Sequence, residues 1–122
     1  MAKKILIADD EPNIVISLEF LMQHSGYRVK SASDGDTALR LLAEFKPDLI
    51  LLDIMLPLRN GFEVCQRIRE NPNWSDMKIV MLTAKGREVE MAKGLALGAD
   101  VYITKPFATK DLLANVQRLL GE

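Results

Sequence analysis

Short apolar runs alternate with longer stretches that are apolar on one face only, along the whole sequence. Three of these runs, residues 5–8, 49–52 and 79–82, lack alternating polar residues. That pattern is typical of parallel strands covered by helices on both faces. Two further runs, residues 27–32 and 101–104, alternate more and are expected nearer the edges of the sheet. The sequence therefore predicts five strands, each followed by a helix.

Helix start and stop residues fit the same division. Proline favours the first turn of a helix, glycine favours the position after its end, and small polar residues favour the N-cap. On these rules helix one begins at Pro12 and ends at Gly26, helix two is capped by Ser33 or Asp34, and helix five opens at Thr109. Because strand–helix–strand connections are nearly always right-handed, we predict a doubly wound α/β sheet with helices on both faces.

Length and composition narrow the class of protein. The 122 residues suit one compact domain, so a single domain over residues 1–122 without an output domain is expected. Sixteen basic and seventeen acidic residues give a net charge of -1 without a basic run, which disfavours direct binding of nucleic acid. No apolar stretch approaches the roughly 18 residues of a membrane span. Cys65 is the only cysteine, as is typical of a reducing compartment, so we expect a cytoplasmic protein.

Five polar residues fall at the carboxyl ends of predicted strands. Asp9 and Asp10 follow strand one, Asp53 follows strand three, Thr83 follows strand four, and Lys105 closes strand five. Open α/β sheets bind their ligands at this edge. The sequence therefore predicts one site that contains three carboxylates, a hydroxyl and an ammonium.

Three converging carboxylates repel one another unless a cation is bound or one of them is protonated. Magnesium, or manganese, is the expected cation, because it prefers oxygen ligands in octahedral geometry together with phosphate oxygens. Asp10, Asp53 and the backbone carbonyl of Met55 are the expected ligands, and Asp9 would act through a water molecule.

An aspartate beside such a cation can attack a phosphoryl group and carry it covalently. Asp53 is the expected nucleophile. Catalysis of phosphoryl transfer depends mainly on positioning and on positive charge. The Lys105 ammonium can supply the charge, and the hydroxyl of Thr83 can donate a hydrogen bond to the phosphoryl oxygens. These residue types in this arrangement therefore predict a phosphoacceptor site.

Four segments, in this order, resemble the signatures of response-regulator receiver domains: KILIADDEP at 4–12, PDLILLDIMLP at 47–57, LTA at 82–84 and GADVYITKPF at 98–107. The resemblance spans essentially the whole chain. It implies a CheY-like, flavodoxin-like fold with strand order 2-1-3-4-5. The roles that it implies are the phosphoacceptor for Asp53, the magnesium-binding acidic pair for Asp9 and Asp10, the switch hydroxyl and aromatic for Thr83 and Tyr102, and the essential lysine, followed by a cis peptide bond, for Lys105–Pro106.

The resemblance also implies the partners of the domain. A sensor histidine kinase or a phosphotransfer protein would donate the phosphoryl group, and phosphorylation would reshape helix four, strand five and helix five for an effector protein or an output domain. The domain would not be an enzyme beyond its self-catalysed phosphoryl uptake and slow hydrolysis. A phosphorylation-dependent dimer also occurs in the family, but Val101 and Asn115 depart from its charged pairing pattern, which favours a partner protein.

Two residues are expected to set the lifetime of the phosphorylated state. Met55 and Lys85 would flank the path of an attacking water molecule, and neither side chain orients water well. The sequence therefore predicts slow dephosphorylation.

Three alternative functions would require parts of the same residue pattern. A phosphatase of the haloacid dehalogenase type needs a second aspartate two residues after the nucleophile, where this chain has Met55. A flavodoxin-like electron carrier needs a Ser/Thr/Gly-rich loop after strand one, where this chain has acidic residues. The remaining alternative is a pseudo-receiver that binds proteins independently of phosphorylation, although such proteins usually lose part of the acidic set.

Overall fold

The protein, seen here in a computed structural model that describes residues 2–84 and 88–122, contains a five-stranded sheet flanked by helices. The strands are β1 (Lys4–Ala8), β2 (Arg28–Ala32), β3 (Leu49–Asp53), β4 (Lys78–Ala84) and β5 (Val101–Lys105). The α-helices are α1 (Pro12–His24), α2 (Gly35–Phe45), α3 (Gly61–Glu70), α4 (Glu88–Ala96) and α5 (Thr109–Leu119). The alternation of strands and helices confirms the order predicted from the sequence.

Neighbouring strands are parallel throughout, in the order β2-β1-β3-β4-β5. Every residue of β3 is buried, because helices cover this central strand on both faces. The edge strand β2 alternates between exposed and half-buried residues from Arg28 to Ser31, and the other edge strand, β5, is half-buried along its length. The two runs that were expected near the edges are therefore the edge strands.

Two apolar layers fill the space between the sheet and its helices, because successive strand residues point to opposite faces. Leu6 and Ile50 contribute to the layer beneath α2 and α3. Ile7 and Leu51 contribute to the layer beneath α1 and α5. All four side chains are fully buried, and each such burial stabilises the fold by roughly 1.5–3 kcal/mol.

Local hydrogen bonds fix where several helices begin. The Asp34 carboxylate accepts a hydrogen bond from the backbone N–H of Thr37 at 2.6 Å and caps α2, so Asp34 rather than Ser33 is the N-cap. Asn60 caps α3 in the same way through the N–H of Glu63. The sequence did not predict the short 3-10 helix Pro72–Trp74 between α3 and β4.

Arg69 near the end of α3 ties three segments together. Its guanidinium donates to the carbonyl of Gly98, to the carbonyl of Met77 and to the carboxylate of Asp100, at 2.8, 2.8 and 2.9 Å. The Asp100 carboxylate in turn accepts a hydrogen bond from the backbone N–H of Ile79. This network fixes the end of α4 and the start of β5 against the start of β4.

Two strands extend further than predicted. Asp53 is the last residue of β3, and Thr83 lies within β4, whereas the sequence placed both residues after their strands. The ladder continues because Asp53 pairs with Leu82 and Thr83 pairs with Thr104. Among the described residues, no helix is both long enough and apolar enough to span a membrane.

Candidate functional site

The carboxyl ends of β1, β3, β4 and β5 form one edge of the sheet, and the predicted polar residues lie along it. Asp9 and Asp10 directly follow β1, Asp53 ends β3, and Lys105 ends β5. Because β3 lies between β1 and β4, and β5 lies beside β4, residues distant in sequence become neighbours. The parallel register of the strands therefore assembles the site.

Asp9, Asp10 and Asp53 form a compact acidic cluster. One carboxylate oxygen from each residue lies within 4.8 Å of the others. Asp9 is 0% exposed and Asp53 is 4% exposed, whereas Asp10 is exposed to solvent. The backbone N–H of Glu11 donates to Asp9 Oδ1 at 2.9 Å, which holds that carboxylate in place.

Lys105 supplies the positive charge of the site. Its Nζ donates to Asp9 Oδ2 at 2.8 Å and to Glu11 Oε1 at 3.0 Å, and it lies 3.7 Å from Asp53 Oδ1. Burial lowers the pKa of Lys105, but its hydrogen bonds to Asp9 and Glu11, together with the charge of Asp53, outweigh burial and raise it. The ammonium therefore stays charged within the acidic cluster.

The carboxyl of Asp53 has an elevated pKa. Burial, followed by the negative charge of Asp9, raises the pKa of Asp53 from 3.8 to about 6. The Lys105 ammonium and the backbone N–H of Met55, which donates to Asp53 Oδ1 at 3.3 Å, oppose this rise. The negative charge of Asp53 is therefore only partly compensated, and a cation bound beside it would supply further positive charge.

Thr83 and Tyr102 lie on the neighbouring strands β4 and β5. Thr83 is 1% exposed, and its Oγ1 has no hydrogen-bond partner among the described residues. A buried hydroxyl without a partner is costly, and the Thr83 hydroxyl is available to a ligand at the site. The half-buried Tyr102 packs against the apolar layer beneath α2 and α3, and a Cβ atom on Gly94 of α4 would lie 3.3 Å from its ring.

The remaining predicted features of the site are Met55, Lys85 and the Lys105–Pro106 peptide bond. Met55, two positions after Asp53 in the sequence, is 56% exposed. The Lys105–Pro106 peptide bond is cis. Lys85 lies outside the described residues. Sequence reasoning missed the contact between Glu11 and Lys105, for which the sole signal was a glutamate at a helix N-cap, where Ser, Thr, Asp or Asn is favoured.

A family model described as the response regulator receiver domain matches residues 5–117. The chain belongs to this family. Solved receiver structures agree with the assignment over nearly the full length of the chain. A response regulator from Chloroflexus aurantiacus has 32% sequence identity and a TM-score of 0.95, with 100% of both chains covered. The family membership also accounts for the strand order that the resemblance implied.

Two further structures resemble this receiver. The receiver domain of a sensor histidine kinase from Pseudomonas aeruginosa has 30% identity and a TM-score of 0.90, with 100% of both chains covered, and contains a magnesium ion coordinated in its active site cleft. The chemotaxis protein CheY4 of Vibrio cholerae has 31% identity and a TM-score of 0.90, with 98% of this chain and 99% of that chain covered. Receivers with this fold therefore occur both in histidine kinases and in chemotaxis proteins.

Proposed function

We propose that this receiver accepts a phosphoryl group on Asp53 from a histidine kinase or a phosphotransfer protein, in a reaction that requires magnesium or manganese. The observation that carries the proposal is the Asp53 carboxyl itself, which is buried beside two other carboxylates and 3.7 Å from an ammonium. A structural aspartate would have its charge compensated, whereas burial and Asp9 raise the pKa of Asp53 to about 6. Because Cys65 is the only cysteine, we place the reaction in the cytoplasm.

The acidic cluster has the donors that a hard divalent cation needs. Asp10 and Asp53 would hold the ion directly together with the backbone carbonyl of Met55, and Asp9 would act through water. Oxygen donors of this kind suit magnesium, which keeps several of its water molecules. When bound, the ion supplies positive charge that offsets the carboxylates and the phosphoryl oxygens.

The residues of the chain divide the transfer between them. An oxygen of the ionised Asp53 attacks the phosphorus atom, the bond from phosphorus to the donor's histidine nitrogen breaks, and its electron pair stays on that nitrogen. Lys105 and the Thr83 hydroxyl hold the phosphoryl oxygens, and positioned charge of this kind is the main source of catalysis in phosphoryl transfer. Apart from this uptake and a slow hydrolysis of the phosphoryl group, the domain would perform no catalysis.

Signal output would follow from the same contacts. Thr83 Oγ1 has no partner among the described residues, so a phosphoryl oxygen on Asp53 gives it one and draws Thr83 towards the site. Tyr102 would enter the space that Thr83 vacates. This movement would change the surface formed by α4, β5 and α5, to which an effector protein or an output domain would bind.

The test is incubation with a small phosphodonor, phosphoramidate, in the presence of magnesium, followed by intact-mass spectrometry. Wild type should gain one phosphoryl group, which is stable in acid and labile in base. Asp53→Asn, a nearly isosteric change, should stay folded and gain none, whereas Asp76→Asn at an exposed carboxylate should behave as wild type. A folded wild-type protein that gains no phosphoryl group would support the pseudo-receiver instead.

A further inference from the structure

The Lys105 ammonium lies closer to two other carboxylates than to the residue that it is proposed to serve. Asp9 Oδ2 is 2.8 Å and Glu11 Oε1 is 3.0 Å from Nζ, whereas Asp53 Oδ1 is 3.7 Å away. An ammonium has three N–H donors, and two of them are used by Asp9 and Glu11. The unphosphorylated site therefore holds the Lys105 ammonium closer to Asp9 and Glu11 than to Asp53.

The position of Glu11 is not explained by its own helix. Glu11 is the N-cap residue of α1, but its side chain makes no capping hydrogen bond. At the equivalent positions of α2 and α3, Asp34 and Asn60 both cap. The Glu11 carboxylate instead meets Lys105, which is 94 positions away in sequence. The side chain of Glu11 thus contacts the site and does not cap the helix.

The two partners of Lys105 differ in burial. The Asp9 side chain is 0% exposed, whereas that of Glu11 is 59% exposed. A buried ion pair is expensive to break, because it leaves an uncompensated charge, whereas an exposed pair is screened by water and weak. When a doubly charged phosphoryl group arrives on Asp53, Lys105 can leave Glu11 while keeping Asp9.

From these contacts we propose that Glu11 is a positioning residue that restrains Lys105. In the unphosphorylated chain Glu11 shares the ammonium with Asp9, and on phosphorylation it yields the ammonium to the phosphoryl oxygens. Glu11 thereby slows phosphoryl uptake and destabilises the phosphorylated state. This inference rests on the proposed function of Asp53 and adds a residue that regulates it.

The first test compares two substitutions of Glu11. Glu11→Gln keeps the length of the side chain but removes its charge, and Glu11→Asp keeps the charge on a side chain one carbon shorter, which withdraws it from Lys105. Both variants should take up phosphoryl from saturating phosphoramidate faster than wild type, by roughly two- to fivefold, the size expected of one exposed ion pair. Both should also lose the phosphoryl group more slowly.

The matched control is Glu44→Gln, which removes an exposed glutamate that pairs with Arg40 on α2. Its uptake rate should equal that of wild type. If uptake by Glu11→Gln is unchanged or slower, the inference is wrong. It is equally wrong if Glu11→Asp behaves as wild type while Glu11→Gln is faster, since bulk charge rather than the contact with Lys105 would then set the rate.

A second measurement needs neither metal nor phosphate. The 15N-labelled Lys105 ammonium, protected by two carboxylates, should give an observable NMR signal at low temperature in wild type, and this signal should weaken in Glu11→Gln and Glu11→Asp. An unchanged signal in both variants would show that Glu11 does not restrain the Lys105 ammonium. Failure of wild type to take up phosphoryl would refute the function of Asp53 and leave this signal intact, so the two failures can be told apart.

Discussion

Replacing Asp53 by Asn should stabilise the fold at neutral pH. Burial, followed by the charge of Asp9, raises the pKa of Asp53 from 3.8 to about 6. Since one pH unit in pKa corresponds to about 1.4 kcal/mol, this rise amounts to about 3 kcal/mol of destabilisation when Asp53 is ionised. Asparagine keeps the shape of the side chain without its charge. We therefore expect Asp53→Asn to raise the free energy of unfolding by up to about 3 kcal/mol at pH 7.5 without divalent cations.

The pH dependence of this gain has a definite sign. Because the folded pKa lies above the unfolded value, the folded chain binds the proton more tightly, and the stability of wild type falls as pH rises from about 4 to above 6. The gain from Asp53→Asn should thus be absent near pH 4 and complete above pH 7. Saturating magnesium should stabilise wild type and narrow the difference, because the cation binds only the folded cluster.

Urea unfolding followed by the fluorescence of Trp74, the single tryptophan, measures these free energies. Trp74 packs against the apolar layer beneath α2 and α3, so its emission reports the core. The exposed-carboxylate control Asp76→Asn should change stability little at either pH. If Asp53→Asn is no more stable than wild type at pH 7.5, or if its gain is the same at pH 4, the argument that buried charge destabilises this site is wrong.

Three further predictions concern the lifetime of the phosphoryl group, the switch and the fold. Met55→Asn combined with Lys85→Glu should speed loss of the phosphoryl group by roughly tenfold, because the new side chains can orient an attacking water molecule. Mass spectrometry after removal of the donor measures this decay, and an unchanged rate would contradict the prediction. Thr83→Ala should still accept phosphate but lose much of the chemical-shift change at Tyr102, and a full response would exclude the proposed coupling. Asp34→Ala should cost about 1 kcal/mol of unfolding free energy by removing the cap of α2, and no loss in urea titration would count against that role.

The hydrophobic pattern of the sequence was sufficient to predict the five strands and their central or edge positions in the sheet. Runs without polar alternation became β1, β3 and β4, and the alternating runs became the edge strands β2 and β5. The pattern could not show that β3 includes Asp53 and that β4 continues through Thr83, because pairing with Leu82 and Thr104 extends both strands into polar residues. The 3-10 helix after α3 was missed although Asn71 caps it and Pro72 suits its first position.

The convergence of the site was predictable because parallel strands place their carboxyl ends at one edge. Asp9, Asp10, Asp53 and Lys105 meet there. The partners of the ammonium could not be predicted, since a lysine at a strand end can reach several carboxylates, and only side-chain packing selects Asp9 and Glu11. The same limit applies to Arg69, whose contacts with Gly98 and Asp100 depend on how the end of α4 packs against α3.

The most direct test of the central claim is to locate the phosphoryl group. Wild type treated with phosphoramidate and magnesium would be reduced with borohydride, which converts an aspartyl phosphate to homoserine, and then digested and sequenced by tandem mass spectrometry. We predict homoserine at position 53, with Asp9 and Asp10 unmodified, and no conversion when magnesium is chelated. Homoserine at another position, or an unmodified Asp53 in protein whose intact mass shows a phosphoryl group, would contradict the account.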